Sequence, residues 1–393
     1  MTYDFETIRR RENMGAFKWE MMKSVVGSVP EDLVPFSVAD MEFVAAPCIV
    51  DALHRAVDFG TYGYTGANPK YNDAVCNWFK TRHNWEVKPE WLIQTYGVVS
   101  AMSATLKACT KPGDGVIYQP PVYGPFKRSI EGTGRVAVPN PLKYENGRYE
   151  MDFEHLESLC ARDDVTMLML CTPHNPTGRV WTRAELERVS DICLRHNVLV
   201  FADEIHCDFV YAPHVHIPFA SLSEEAAQNC IVGTAASKTF NLAGLSSSNI
   251  IIPNEKLRTA FAAHADHFVN YFGVAAVTAA YEEGAPWLDE LKTVLQGNYE
   301  YCKQFLAEKF PSVTVVPLEG TYLMWVDFRS LGLDNAALAE FMTKKVGLAL
   351  NEGHVFGEEG SGFERFVLAC PRRYLEAAMQ RLDKAAEEAS LPR

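Results

Sequence analysis

A lysine follows an apolar segment that predicts a buried strand. The segment "NCIVGTAA" (229–236) leads directly into Ser237 and Lys238, and the Gly/Ser-rich "NLAGLSSS" (241–248) comes next. Burying a lysine is costly unless its charge is paired or its pKa falls. Because a lysine with a lowered pKa attacks carbonyl groups, Lys238 is a candidate for Schiff-base chemistry.

Polar residues and a glycine follow other apolar segments in the same way. The segment "VTMLMLC" (165–171) is followed by "TPHNPTG", which contains Asn175, and "VLVFADE" (198–204) contains Asp203 near its end. Gly97 follows "WLIQTY" and begins a helical pattern. Ligands of open α/β sheets bind beyond the carboxyl ends of the strands, so we expect these residues to share one edge of a sheet.

The types of these residues match what pyridoxal 5′-phosphate (PLP) requires beside its lysine. The carboxylate of Asp203 would keep the pyridine nitrogen protonated through a charge-assisted hydrogen bond. Asn175 and His206 would lie near the ring hydroxyl, and Tyr123 would stack on the ring. The phosphate would bind backbone N–H groups at the predicted helix start, formed by Gly97, Val98 and Val99.

Each of these residues also has a structural interpretation. Asp203 could cap a helix, and Asn175 with the proline after it could form a simple turn. His206 is as well explained as a structural histidine, and Tyr123 as an aromatic residue of the core. His214 and His216 predict a solvated loop and no metal site, because no third ligand is evident.

The elements that must position these residues are those of an α/β protein. From residue 91 to 253, short apolar strands alternate with helical patterns, which predicts a mostly parallel sheet covered on both faces. Residues 286–310 predict one long helix, and the mixed patterns after it indicate a smaller α+β domain. We therefore predict a large domain of residues 46–284 and a small domain of residues 1–45 and 285–393.

The composition is ordinary for a globular enzyme. Of 393 residues, 48% are hydrophobic and 22% are charged, and the net charge of −13 argues against nucleic acid and anionic membranes as partners. The ten cysteines include no C-x-x-C pair, which favours reduced thiols over disulfides or zinc ligands. No apolar run is long enough to cross a membrane and no secretory signal is evident, so we expect a cytoplasmic protein.

Three motifs, in their order along the chain, resemble those of the fold-type I PLP enzymes, the aspartate aminotransferase superfamily. They are "NPTG" (175–178), "ADEIH" (202–206) and "SKTFNLAGL" (237–245). The chain is more closely similar to the cystathionine β-lyase/C–S lyase branch, the MalY/PatB-like proteins. That similarity is carried by "VADMEFVAAPCIVDAL" (38–53), "YGYT" (62–65) and "ERFVLACP" (364–371). The resemblance implies a mostly parallel seven-stranded sheet in a large domain, with a smaller α+β domain.

The resemblance also implies roles for individual residues. Lys238 carries the cofactor and forms the catalytic set with Asp203 and Tyr123. Arg365 binds the substrate carboxylate together with Asn175, and Tyr64 reaches the phosphate and substrate of the neighbouring subunit, which implies a homodimer with shared active sites. The full cofactor-binding set is Lys238, Asp203, Asn175, His206, Tyr123, Gly97, Val98, Val99, Ser237 and Tyr64.

Three positions depart from the patterns that the resemblance brings. Many aminotransferases have a phosphate-binding arginine eight residues after the lysine, where this chain has Ser246. They have serine where this chain has Ala235, and the C–S lyase branch usually has tryptophan where this chain has Ser37. The missing arginine is also typical of the C–S lyase branch and supports that assignment, whereas Ser37 implies an altered pocket wall.

The leading hypothesis for function is PLP-dependent β-elimination from a sulfur amino acid. Cystathionine, cysteine or a cysteine S-conjugate would yield a thiol, pyruvate and ammonia. An aminotransferase uses the same lysine, acid and arginine, so the sequence leaves that alternative open. Some members of the branch act as regulators through a protein surface, but the intact set of Lys238, Asp203, Asn175 and Arg365 argues against a purely structural role.

Overall fold

A seven-stranded sheet forms the centre of the fold in the computed structural model, which describes residues 2–266 and 269–392. The strand order is β1–β9–β8–β7–β6–β2–β3, in which β9 runs antiparallel to both of its neighbours and all other pairs are parallel. The mostly parallel seven-stranded sheet is therefore confirmed. Its strands are Leu92–Thr95 (β1), Gly115–Tyr118 (β2), Val136–Pro139 (β3), Val165–Cys171 (β6), Leu199–Asp203 (β7), Cys230–Thr234 (β8) and Ser248–Ile251 (β9). A separate hairpin joins Lys143–Glu145 (β4) to Arg148–Glu150 (β5).

Helices precede, connect and follow these strands. Several begin at residues whose side chains accept a backbone N–H bond, as in the capping box of Thr182 and Glu185. Their bounds are Phe17–Val26 (α1), Pro47–Phe59 (α2), Pro69–His83 (α3), Val98–Cys109 (α4), Pro125–Gly132 (α5), Phe153–Cys160 (α6), Arg183–Arg195 (α7), Glu224–Gln228 (α8), Ala236–Thr239 (α9), Glu255–Ala262 (α10), Tyr271–Glu283 (α11), Ala285–Lys309 (α12), Asn335–Glu340 (α13) and Arg372–Glu388 (α14).

A glycine in β8 sets how closely helix α4 approaches the sheet. A Cβ atom at Gly233 would lie 2.9 Å from Cζ of Phe201 and 3.0 Å from Cγ1 of Val98, which is too close for any larger residue. The absent side chain lets the first turn of α4 rest on β8. The start of α4 and the segment after β8 are thereby held at the same edge of the sheet.

A second, antiparallel sheet follows in the chain, in the order β10–β11–β13–β12. Its strands are Thr314–Val315 (β10), Leu323–Asp327 (β11), Asn351–Glu352 (β12) and Phe363–Val367 (β13). The helical segment between β11 and β12 has two parts, α13 and the π-helix Phe341–Val346. No helix within the described ranges is long and apolar enough to cross a membrane.

The amino-terminal segment is hydrogen-bonded to the part of the chain that carries this second sheet. The N–H of Phe36 donates to the carbonyl of Ala349 at 3.1 Å, and the N–H of Val367 donates to the carbonyl of Phe36 at 2.9 Å. The N–H of Glu42 donates to the carbonyl of Ala369 at 2.9 Å. The domain limits themselves stay a prediction, and their outer ends, residues 1 and 393, lie outside the described residues.

Candidate active site

The predicted residues gather at the carboxyl edge of the central sheet. Asp203 is the last residue of β7, Lys238 lies in α9 directly after β8, and Asn175 lies in the turn after β6. Asp203 and Asn175 are buried, and Lys238 is half-buried. Parallel strands bring these turns together because their carboxyl ends share one edge.

The amine of Lys238 is held by a backbone carbonyl from the amino-terminal segment. Its Nζ donates to the oxygen of Ala39 at 2.7 Å, and the hydroxyl of Tyr322 donates to the same oxygen at 2.9 Å. Burial lowers the pKa of Lys238 to about 8, and the positive charge of Arg365 acts in the same direction. A lysine with this pKa has a much larger share of neutral, nucleophilic amine at neutral pH than an exposed lysine.

The carboxyl group of Asp203 has little to stabilise its charge. Burial raises its pKa to about 7, although the N–H of Ile205, 3.1 Å from Oδ1, and the charge of Lys238 both oppose the shift. A carboxyl group in this state ionises readily when a cation is placed beside it. It therefore suits a protonated pyridine nitrogen.

Arg365, on β13, is a buried cation with no carboxylate of the described chain within ion-pair distance. Its Nη1 donates to Oδ1 of Asn175 at 2.8 Å and its Nη2 to Oδ1 of Asn351 at 2.6 Å, while Nε is buried without a partner. Burial lowers its pKa to about 10, which still leaves it charged at neutral pH. The positive charge and the remaining N–H donors of the guanidinium can bind a ligand carboxylate.

Two aromatic side chains lie near these charges. The backbone N–H of Tyr123 donates to the carbonyl of Asn175 at 3.1 Å, and its ring is 37% exposed. His206 is buried, and its Nδ1 has no hydrogen-bond partner. Burial, with the positive charges of Lys238 and Arg365, keeps the pKa of His206 well below its usual value, so the ring is neutral. A buried ring nitrogen without a partner fits a site that a polar ligand completes.

The predicted phosphate site begins at Gly97, whose φ of 144° is open to glycine and strained for other residues. Val98 and Val99 form the first helical positions of α4, where backbone N–H groups lack partners within the helix. Ser237 is half-buried next to Lys238. These groups lie at the edge of the sheet where an anion would be bound.

Tyr64 does not join this buried group within one chain. Its side chain is 91% exposed, and the neighbouring Thr65 is held by a backbone bond from the N–H of Val269 at 3.1 Å. The other predicted residues therefore come together in a single chain, whereas Tyr64 lies at the surface of that chain.

The surroundings of the site include one residue whose predicted position is wrong, two residues that the sequence did not predict, and a buried serine. His216 does not lie in a solvated loop, because it is buried with Nε2 2.9 Å from Oε2 of Glu204. Asn351 and Tyr322 were not identified, since only tertiary contacts bring them to Arg365 and Ala39. Ser37 is fully buried, and its hydroxyl has no partner.

Known proteins are similar to this chain in both sequence and structure. The sequence model of the family Aminotransferase class I and II matches residues 31–382. The chain is 41% identical over 383 residues to cystathionine beta-lyase PatB of Bacillus subtilis (strain 168), covering 96% of this chain and 98% of that protein. It is 33% identical over 389 residues to protein MalY of Escherichia coli (strain K12), covering 98% of each. The crystal structure of cystalysin from Treponema denticola, which contains a pyridoxal 5′-phosphate cofactor, is similar with a TM-score of 0.96 and 39% identity, over 99% of this chain and 100% of that chain.

Proposed function

The chain belongs to the aminotransferase class I and II family, and we propose that it is a PLP-dependent carbon–sulfur lyase acting on cystathionine, cysteine or cysteine S-conjugates. The similarity over almost the whole chain to a protein named cystathionine beta-lyase supports the reaction. The similarity to a structure that contains PLP supports the cofactor. The products would be a thiol, pyruvate and ammonia, with one water consumed when the three-carbon product of the elimination is hydrolysed.

The observation that carries this proposal is a pair of buried charged groups, Asp203 and Arg365, that have no cation or carboxylate of the described chain in an ion pair with them. Burial raises the pKa of Asp203 to about 7 even though the charge of Lys238 opposes the shift, and the buried Nε of Arg365 has no acceptor. Bound through Lys238, PLP supplies an electron-accepting ring next to the substrate. The carboxylate of Asp203 would hold the proton on the ring nitrogen, and the ring of Tyr123 would pack on the face of the cofactor.

The remaining steps belong to side chains of this protein. Arg365 binds the α-carboxylate of the substrate, and Asn175 orients the guanidinium through its 2.8 Å hydrogen bond. Lys238, as the neutral amine, removes the proton from Cα. When the Cβ–S bond breaks, the electron pair leaves with the sulfur, and the proton held by Lys238 is available to form the thiol.

An assay for pyruvate separates this reaction from transamination. Purified protein loaded with PLP is incubated with cystathionine, cysteine and a series of S-alkyl cysteines, with no keto acid present. We expect pyruvate and ammonia in equal amounts and a free thiol from at least one substrate. Formation of a keto acid that retains the sulfur, and only when an acceptor keto acid is added, would instead establish an aminotransferase.

A homodimer with shared active sites is a second part of the proposal. Phe59, Tyr62 and Tyr64 are 71%, 54% and 91% exposed, and exposed aromatic side chains near one another in the chain favour an interface. Ser246 stands where many aminotransferases have a phosphate-binding arginine, so a hydroxyl from Tyr64 of a second copy would supply a missing donor.

Subunit exchange tests the shared site. Tyr64→Phe protein is mixed with Lys238→Ala protein, each with low activity alone. A mixed dimer would contain one site with both native groups, so activity should partly return. No recovery, once exchange is confirmed by mass spectrometry, would show that Tyr64 does not act on the neighbouring site.

We further propose that the protein works in a reducing compartment such as the cytoplasm and has no nucleic-acid partner. All ten cysteines are free thiols, and seven of them are buried. Free cysteines in this number are typical of reducing compartments. The net charge of −13 disfavours contacts with phosphate backbones.

A further inference from the structure

A cavity of about 180 Å³ lies between helix α1, the π-helix Phe341–Val346 and strand β12. It adjoins the candidate active site at Asn351, which lines the cavity and accepts a hydrogen bond from Arg365. Glu364 lies on the other side of β13 from the active-site arginine, because Glu364 and Arg365 are successive residues of the strand and point to opposite faces. The walls are mostly apolar and include Met21, Val25, Met342, Leu348, Leu350 and Val355.

Glu364 brings a carboxyl group to this apolar cavity. Its side chain is 1% exposed, and Oε2 has no hydrogen-bond partner. Its cross-strand neighbour is Glu352, a second carboxyl group that also lines the cavity. Burial, with the charge of Glu352, raises the pKa of Glu364 well above its usual value, which favours the protonated, neutral form.

No protein cation compensates Glu364. Among the residues that the structure describes, no Lys, Arg or His nitrogen lies within ion-pair distance of its carboxyl group. The nearest such contact in this region is between His354 Nδ1 and Oε2 of Glu352, at 3.5 Å and with both side chains at least 40% exposed. A buried carboxyl oxygen without a donor is costly, and a ligand that supplies donors would remove that cost.

We propose that this cavity binds a small primary ammonium carried on a short aliphatic chain. The two carboxyl groups lie at one part of the lining and can accept hydrogen bonds from the ammonium, which has three donors. The apolar walls then cover the aliphatic part. A cavity of about 180 Å³ has room for a short chain such as that of a four-carbon alkylamine.

The proposed binding has a defined proton balance. An alkylamine with a pKa of about 10.4 reaches the protein as the ammonium ion at pH 7. Glu364 must lose its proton to pair with that charge, and the proton goes to the solvent. Binding should therefore release close to one proton, whereas a neutral ligand that accepts a hydrogen bond from Glu364 would release none.

Isothermal titration calorimetry on the PLP-loaded protein tests the proposal. The probe is n-butylammonium, titrated at pH 7 in two buffers that differ in ionisation enthalpy. We expect saturable binding to one site per chain, with release of close to one proton. n-Butanol, which has the same chain with a hydroxyl in place of the ammonium, should bind at least tenfold more weakly.

Two variants serve as controls. Glu364→Gln replaces a neutral acid with a neutral amide of the same shape, so its melting temperature should match that of the native protein while butylammonium binding falls at least tenfold. Because this variant keeps the PLP site, any heat that survives in it reports reaction of the amine with PLP. Ala339→Leu, which adds volume to a half-buried wall of the cavity, should also abolish binding.

The proposal fails under any of three results. The first is the absence of saturable binding to the native protein. The second is equal binding to Glu364→Gln, and the third is binding without proton release. None of these results bears on the lyase assay, which uses different residues.

Discussion

Asp203 and Asp208 lie five residues apart and are similarly buried, with 4% and 6% exposure. Their pKa values nevertheless shift in opposite directions. Asp208 accepts hydrogen bonds from Nε1 of Trp78 at 3.0 Å, Nε2 of His83 at 2.9 Å and Oγ1 of Thr239 at 2.6 Å. Burial acts to raise the pKa of Asp208, but these donors outweigh it and lower the pKa. Asp203 has one backbone donor, and burial raises its pKa to about 7.

The difference between the two carboxyl groups lies in their donors and not in their burial. The three bonds to Asp208 link α3 to α9, the helix that carries Lys238. This carboxylate therefore has a structural role. Asp203 lacks comparable donors because its partner in the proposed function is the ligand. A buried charge whose hydrogen-bonding groups are all used by the protein therefore indicates a structural role, and one with few partners indicates a binding or catalytic site.

The same contrast applies to two buried arginines. Arg179 pairs with Glu319 and with Glu185, each at 2.9 Å. It thereby links the segment after β6 to the connection between β10 and β11. Arg365 has amide oxygens as partners and no carboxylate of the described chain. The comparison predicts that substitutions at the partnered residues change stability and that substitutions at the others change function.

Asp203→Asn should give the largest effect, with opposite signs for activity and stability. Loss of the charge that faces the ring nitrogen should lower kcat/KM for pyruvate release by about a hundredfold to a thousandfold, the usual range for losing one electrostatic group in an active site. The cofactor-free protein should become more stable at pH 8 by a few degrees in Tm, because Asn removes a buried carboxylate that has few donors.

The sign follows from the pKa of Asp203, which rises from 3.8 to about 7 on folding. The cost of the buried charge is fully present above pH 7 and declines as the pH falls toward 4, so the gain in Tm should shrink over that interval. Calorimetry of the two cofactor-free proteins at several pH values measures this. A variant that is less stable at pH 8 would show that Asp203 has donors that were not recognised.

Asp208→Asn should have the reverse outcome. Removing the charge from a buried, fully bonded network should destabilise the protein by about 3 kcal/mol, as is typical when one partner of a buried pair is lost. Urea denaturation of the cofactor-free protein gives the value. Unchanged stability, or a larger loss of kcat/KM than in Asp203→Asn, would contradict the assignment of a structural role to Asp208 and a functional role to Asp203.

Arg365→Lys tests the same contrast among cations. The loss of the planar, two-pronged donor should lower kcat/KM by about tenfold to a hundredfold, equivalent to about 1.5–3 kcal/mol for a charged hydrogen bond. KM should account for most of the change.

Arg179→Lys is the matched control and should lower Tm while leaving KM unchanged. If KM changed in Arg179→Lys but not in Arg365→Lys, the substrate carboxylate would be bound elsewhere.

The sequence was sufficient to predict the sheet and the segments that carry the site. Strand β6 coincides with the predicted segment 165–171, because a strand buried on both faces is an uninterrupted apolar run bounded by turns. The same pattern of apolar runs bounded by turns predicts the positions of Asp203 at the end of β7 and of Lys238 after β8.

The environment of the site could not be predicted in this way. The bond from Lys238 to the carbonyl of Ala39 joins residues 199 positions apart, and Asn351 meets Arg365 only through the pairing of β12 with β13. The sequence also gave no means to tell the donors of Asp208 from those of Asp203, since Trp78 and His83 come from a distant helix. These contacts depend on tertiary packing, which local patterns do not contain.

The smallest expected effect, and the finest test of the comparison, concerns the titration of Lys238. Burial and the charge of Arg365 lower its pKa to about 8, and the neutral amine is the form that attacks the aldehyde of PLP. The rate at which cofactor-free protein takes up PLP should therefore rise with pH and level off, with a midpoint near 8. Stopped-flow absorbance of PLP over pH 6 to 10 measures it.

Arg365→Met sharpens this test, because it removes a nearby positive charge while keeping an unbranched side chain. Removing a cation favours the protonated lysine, so the midpoint should move to higher pH, by less than the full difference between 8 and the usual value of 10.5, since burial is the larger cause. Arg179→Lys keeps its charge and should leave the midpoint unchanged. A native midpoint near 10 would mean that water solvates the amine of Lys238, and the contrast between groups with and without partners would then not extend to this residue.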